Sequence, residues 1–146
     1  MNRQSGLTLI EITVVIAILT IIIAFGMTVD FNSFTSDTFR AEESKIVSAL
    51  GRARSRAMAN MFETTHGVCY DEDEDSYVIF QGNTCTATGS ELIPANINIS
   101  ENDDTIFPAE IVFEQLTGNT AGETITISDG VKTEEIEIYE TGAINW

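Results

Sequence analysis

Basic residues are scarce in this 146-residue sequence and nearly absent from its second half: six of the seven lie in the first 56 positions, and only Lys132 lies beyond. From Ala57 onward eighteen acids face that one lysine, within a net charge of −16. Such a surface repels phosphates, which argues against nucleic-acid binding by the C-terminal part; it stays soluble and attracts cations. Histidine is rarer still. His66 stands alone with no nucleophile motif beside it, so Ser/His/Asp catalysis has no basis, no other catalytic constellation is present, and the chain reads as not an enzyme. His66 itself reads as a surface or strand-start residue. Proline occurs twice, at Pro94 and Pro108, so nothing breaks the N-terminal apolar segment, where Gly26 alone could soften a helix. Cysteine also occurs twice, at Cys69 and Cys85, both in the polar part of the chain. In an extracytoplasmic domain such a pair reads as a disulfide, stabilising by about 3 kcal/mol in the chain-entropy model; in a cytosolic protein it reads as two free thiols.

What is abundant is aliphatic residues, and they are unevenly placed. Residues Ile12 to Val29 run eighteen positions without a charge, which as a helix would reach about 27 Å and nearly span a bilayer. The apolar run starts directly after the short polar leader Met1-Asn2-Arg3-Gln4-Ser5-Gly6 and is interrupted only by Glu11. A conventional secretory signal puts its cleavage site on the far side of the apolar run. Cutting on the near side, at Gly6, would leave the helix on the mature protein.

Gly6-Leu7-Thr8-Leu9-Ile10-Glu11 followed by a long aliphatic run resembles the cleavage and methylation motif of type IV prepilins and type II secretion pseudopilins. The resemblance implies that a prepilin peptidase cuts after Gly6 and methylates the new N-terminus at Leu7, where leucine replaces the family's usual phenylalanine. It further implies a lipid bilayer as the first environment of the helix, then other pilin or pseudopilin subunits and an inner-membrane assembly platform as partners. Glu11 has a role that physics alone suggests: an ionised carboxylate in a bilayer costs several kcal/mol unless a cation at similar depth pairs with it. The resemblance supplies that cation as the α-amino group of a neighbouring subunit, which makes Glu11 the residue that sets filament register. The plainer readings are a helix-N-terminal acid at headgroup level and an ordinary single-pass anchor.

Beyond Asp30 the chain turns polar, and a second helical pattern follows, with Ser36 or Asp37 as its cap and Glu42 and Glu43 in its first turns. Phe39, Ile46, Leu50, Ala53, Ala57 and Met61 form one apolar stripe, with Val47 and Met58 alongside. Arg52, Arg54 and Arg56 occupy the C-terminal half as a solvated or acid-paired flank; a site for anionic lipid or nucleic acid is the sharper alternative. After Glu63 the period becomes two, predicting strands over 67–70, 76–81, 97–99, 111–113, 124–128 and 134–139, the last two forming a hairpin around Ser128-Asp129-Gly130. Ile125, Ile127, Ile136 and Ile138 would share one face of that hairpin.

The fold expected is α+β and pilin-like: a long N-terminal helix, half transmembrane and half amphipathic, packed on an antiparallel β-sheet head. Its parts are a cleaved leader (1–6), a membrane or filament-core helix (7–29), a linker and amphipathic helix (30–62) and an extracytoplasmic head (63–146). The stretch 49–57 and the C-terminal Thr141-Gly142-Ala143-Ile144 resemble the GspH/FimT group of minor pseudopilins and minor pilins. Some members of that group bind DNA through arginines near the C-terminus. Here those places hold Ala143, Asn145 and Trp146, and DNA binding is not carried over. Trp146 reads as the last plug of the sheet, sharing a parity with Ile144.

The run Asp71-Glu72-Asp73-Glu74-Asp75 invites a calcium reading, with Asp71, Asp73 and Asp75 as ligands, but it lacks the glycine and spacing of an EF-hand and reads better as a solvated hairpin loop. The chain thus reads as a non-enzymatic subunit of a type IV pilus or type II secretion filament, without a resident cofactor, anchored in the inner membrane with its head outside the cytoplasm. The rival is a membrane-anchored binding or adhesion domain that uses calcium.

Overall fold

The computed structural model describes residues 8–26, 31–85 and 90–146. They belong to two compact units, Met1–Asp37 and Thr38–Trp146. The first unit holds helix α1 (Leu9–Gly26) and the beginning of α2 (Phe31–Met58), which runs across the division. Because α2 starts at Phe31, Ser36 and Asp37 lie inside it and do not cap its start.

In the second unit α2 presents its apolar stripe to the core. Phe39, Ile46, Ala49, Leu50, Ala53 and Ala57 are wholly buried, as the spacing requires for one face of a helix. Met61 was expected on the same stripe but is 41% exposed, because α2 stops at Met58 and Asn60 takes a left-handed conformation (φ 55°) that turns the chain away.

Two antiparallel sheets share that stripe. The first has the order β3-β2-β1-β4, from β1 (His66–Asp71), β2 (Ser76–Gln81), β3 (Glu91–Pro94) and β4 (Ile111–Phe113). The second has the order β5-β6-β7, from β5 (Glu123–Ser128), β6 (Thr133–Ile138) and β7 (Ile144–Asn145). Val68, Tyr77, Ile79, Ile111 and Phe113 of the first sheet and Ile125, Ile127, Ile136 and Ile138 of the second join the α2 stripe in one core. The four isoleucines do share a face, because residues two apart on a strand point the same way. Their hairpin closes where Asp129 Oδ1 accepts from the N–H of Val131 (2.9 Å) and Lys132 (2.7 Å), a turn that an aspartate side chain stabilises well.

The first sheet is covered on both faces. Cys69, Val78 and Phe80 point away from α2 and form a second small core with Cys85 and Val112. This explains the unbroken apolar run of β2, which a sheet with one wet face would not need.

Two segments differ from expectation. Residues 97–99, expected as a strand, form the short helix α3 (Ile97–Ser100), whose start is capped by the Asn96 side chain accepting from the Asn98 N–H at 3.1 Å. A run of three residues carries too little periodicity to separate the two states, and the local cap decides. The edge strand β3 was not anticipated, since its four residues end in Pro94, a residue tolerated at a sheet edge. Trp146 is no plug: β7 ends at Asn145 and the indole is 65% exposed.

Glu42 and Glu43, expected in the first turns of this helix, lie well inside it because α2 starts at Phe31, and Glu42 is 1% exposed. Its Oε2 accepts from Lys45 Nζ at 2.8 Å and its Oε1 from the Asn96 N–H at 2.8 Å. Burial, then the charge and hydrogen bond of Glu42, push the Tyr77 phenol well above its usual range. One carboxylate thus ties α2 to the loop before α3 and to β2. Glu42→Ala should lower stability by about 3 kcal/mol in denaturant titration, because it removes the acceptor that Lys45, the Asn96 N–H and the buried Tyr77 hydroxyl share.

Candidate functional site

The first residue that can be placed at the N-terminal motif is Thr8. Its carbonyl accepts from the N–H of Glu11 (3.1 Å) and Ile12 (3.2 Å), which begins α1 at Leu9. Gly6 and Leu7, the expected cleavage and methylation positions, lie outside the described residues. Glu11 falls in the first turn of α1, where the helix dipole favours an acid.

From Leu9 to Ile23 the helix is apolar on every side, with Ile10, Ile16, Ile18, Ile21, Ile22 and Ile23 each more than half exposed. Its two hydroxyls are satisfied internally: Thr13 donates to the Ile10 carbonyl (2.9 Å) and Thr20 to the Ile16 carbonyl (2.7 Å). Such back-bonding leaves no free donor on the surface apart from the helix start. A helix apolar all round, with its polar groups satisfied within the segment, suits lipid or a packed helical core. Even so, among the described residues no helix is long and apolar enough to cross a membrane. The eighteen residues of α1 rise about 27 Å, short of a hydrocarbon core of about 30 Å. The expected span of 7–29 also takes in Leu7 and residues 27–29, which lie outside the described residues.

The remaining candidates lie in the head. Cys69 and Cys85 are joined by a disulfide, with Cα atoms 6.2 Å apart. The Cys85 N–H donates to Glu110 (3.0 Å), which holds the bridged loop toward the β4 side of the sheet. The five-acid run forms the β1–β2 turn, where Asp71 pairs with Ser76 and Asp71 Oδ1 accepts from the N–H of Asp73 (3.0 Å) and Glu74 (3.3 Å). Asp71 therefore orders the turn, and among the described residues no three His, Cys, Asp or Glu side chains converge on a point where a metal could sit.

His66 is a strand-start residue, as expected, but a buried one at 2% exposure. Both ring nitrogens are without a hydrogen-bond partner among the described residues, so neither nucleophile nor orienting acid reaches it. Burial lowers its pKa, opposed by the Thr64 backbone and aided by the charge of Arg56. A cavity of about 70 Å³ beside it, lined also by Arg56, Phe62 and Glu91, has room for ordered water.

The three arginines divide by face. Arg52 and Arg56, one helical turn apart, both bond the carboxylate of Glu91 on β3. Arg54 points elsewhere, donating to the Thr141 carbonyl at 3.0 Å in the C-terminal turn. The glycine there is required: at φ 73°, a Cβ on Gly142 would stand 2.0 Å from the Gly118 carbonyl oxygen. Arg52 and Arg56 are thus acid-paired, as expected of the cluster, whereas Arg54 bonds a backbone carbonyl.

The hydrogen bond from Arg56, followed by that from Arg52 and by both charges, holds the Glu91 carboxyl below the usual 4.5. A depressed acid stabilises the fold above its unfolded pKa and loses that contribution as pH falls through its folded one. The pair is partly solvated, so Glu91→Gln should cost about 1 kcal/mol at neutral pH. The gap from the parent should close as pH drops below about 4, read from denaturant midpoints across a pH series.

Residues 1–27 match the family model described as the Prokaryotic N-terminal methylation motif, which takes in Gly6, Leu7, Glu11 and the whole of α1. No curated protein and no solved structure matches the chain significantly. The N-terminal segment thus supports a type IV prepilin-like protein, with processing by a prepilin peptidase and assembly with other pilins as what that motif implies.

Proposed function

We propose that the chain is a non-enzymatic structural subunit, a minor pilin or pseudopilin of the GspH/FimT kind, in a type IV pilus or type II secretion filament. The observation that carries this reading is the methylation motif over residues 1–27, which contains the exposed aliphatic helix α1 with Glu11 in its first turn. The antiparallel head on an amphipathic helix, closed by a disulfide suited to an oxidising compartment, is consistent with it.

In this reading the precursor sits in the inner membrane with its head outside the cytoplasm. Prepilin peptidase cleaves after Gly6 and methylates Leu7. The helix then leaves lipid for the filament core, where Glu11 meets the α-amino group of a neighbouring subunit. That pairing offsets the cost of an ionised carboxylate in an apolar medium, several kcal/mol, and is satisfied at one axial displacement, so it sets register.

Mass spectrometry of membrane-extracted protein should show loss of residues 1–6 and one added methyl group; an intact leader would sink the proposal. Glu11→Ala should abolish incorporation into sheared filaments while leaving membrane insertion unchanged, as followed by fractionation and immunoblot. Unchanged incorporation would refute the registry role alone.

A further inference from the structure

A groove of about 580 Å³ lies on the head where the β1–β2 turn meets the segment after α3. Tyr70, Phe107 and Pro108 give it apolar and aromatic walls, and Glu72 and Glu101 stand at its edge. The walls are backed by packed rings: Tyr77 lies 5.7 Å from Tyr70 and stacks on Phe107 at 5.8 Å, centroid to centroid. The volume is that of a ligand-sized pocket.

The polar atoms of the groove are nearly all acceptors. Ser100 gives its hydroxyl proton to the Asn96 carbonyl (3.1 Å) and presents oxygen lone pairs, while the Thr105 hydroxyl gives its own to the Ile99 carbonyl (2.6 Å) and accepts from the Ser128 N–H (2.9 Å), which leaves no donor there for a guest. Glu72 and Glu101 are carboxylates. The Tyr70 hydroxyl is buried and has no hydrogen-bond partner among the described residues, a need that a guest donor would meet. The fold also concentrates charge here. Glu72 belongs to the run 71–75 and Glu101 to the run 101–104, which together hold eight of the eighteen acids after Ala57.

An acceptor-lined, aromatic, anionic groove calls for a flat, all-donor cation. Guanidinium has five N–H donors and no acceptor, stacks on aromatic faces and bonds carboxylates in pairs, whereas an ammonium does the last two poorly. No cation of the head lines the groove: Lys45 bonds Glu42, Arg52 and Arg56 bond Glu91, Arg54 bonds Thr141, Lys132 bonds Glu134, and Arg40 lies on α2 outside the lining. We propose that this groove docks an arginine side chain carried on a basic segment of a partner protein. The site depends on the head alone and stands whether or not the chain enters a filament.

The test is an NMR titration of the full chain in detergent with the blocked tripeptide acetyl-Gly-Arg-Gly-amide, its glutamine counterpart and calcium chloride. The arginine peptide should shift the amides of Tyr70, Glu101, Ile106 and Phe107 saturably, and the glutamine peptide should not. Glu101→Gln and Tyr70→Phe should each weaken binding about fivefold, while Glu140→Gln, which removes one charge away from the groove, should leave it within about twofold. Tyr70→Phe should leave thermal stability unchanged or raised, because it deletes an unpartnered buried hydroxyl. Shifts scattered over the acidic surface, equal losses in all three variants, or no saturation would overturn the proposal. So would calcium saturating the same amides while the peptide does nothing, which would make the groove an ion site.

Discussion

The head depends on one constraint: two separate sheets have a single helix stripe to bury against. Phe39, Ile46, Leu50, Ala53 and Ala57 touch a core built from five strands, and neither sheet has another helix of comparable length to cover that face. Small residues at Ala49, Ala53 and Ala57 let the strands approach the helix axis, while Phe39 fills the wider end with Lys132 over its ring at 4.9 Å. Once the stripe is seated, the helix's other faces are set, and each is used. Glu42 reaches the loop before α3, Arg52 and Arg56 clasp the edge strand β3, and Arg54 clasps the C-terminal turn. The polar contacts orient and the apolar stripe stabilises, which is the usual division between directional and non-directional forces.

The opposite face of the first sheet solves a different problem. Cys69 and Val78 face out from the helix, and with no second helix available they are covered by a loop that the Cys69–Cys85 bridge pins in place. Gly67 contributes by its lack of a side chain: a Cβ there would stand 2.4 Å from the Phe80 ring, so the ring can lie across the strand. The disulfide therefore closes a core as well as a loop, and it stabilises chiefly by limiting the unfolded ensemble in the chain-entropy view.

The N-terminal unit follows the reverse logic. In α1 the isoleucines are exposed, and the threonine hydroxyls fold back onto the helix's own carbonyls. Glu11 is the one ionisable group on the described part of this helix. A surface of this kind is stable in lipid or among like helices, and the family match over residues 1–27 gives that chemistry a biological setting. The acidic head and the apolar helix thus belong to different solvents, and the chain's lopsided composition records the division.

Several features were legible in the residues themselves. The stripe of α2 and the isoleucine hairpin around Asp129 are carried by local spacing, which backbone periodicity turns directly into geometry, and the N-terminal motif is carried by residue identities that the family match over residues 1–27 takes in. Others were not. The helix at Ile97–Ser100 and the strand at Glu91–Pro94 are too short for a period to show, so a capping side chain and a free sheet edge decided them. The burial of Glu42 and the sharing of Glu91 between two arginines needed partners more than thirty positions away, and the meeting of Glu72 and Glu101 in one groove needed two residues 29 apart. Residue order by itself determined the long periodic elements and which segments are apolar or acidic, because those properties are local sums. Tertiary packing alone decided which charges are paired and which hydroxyl is left without a partner, because it sets which distant side chains share a low-dielectric space.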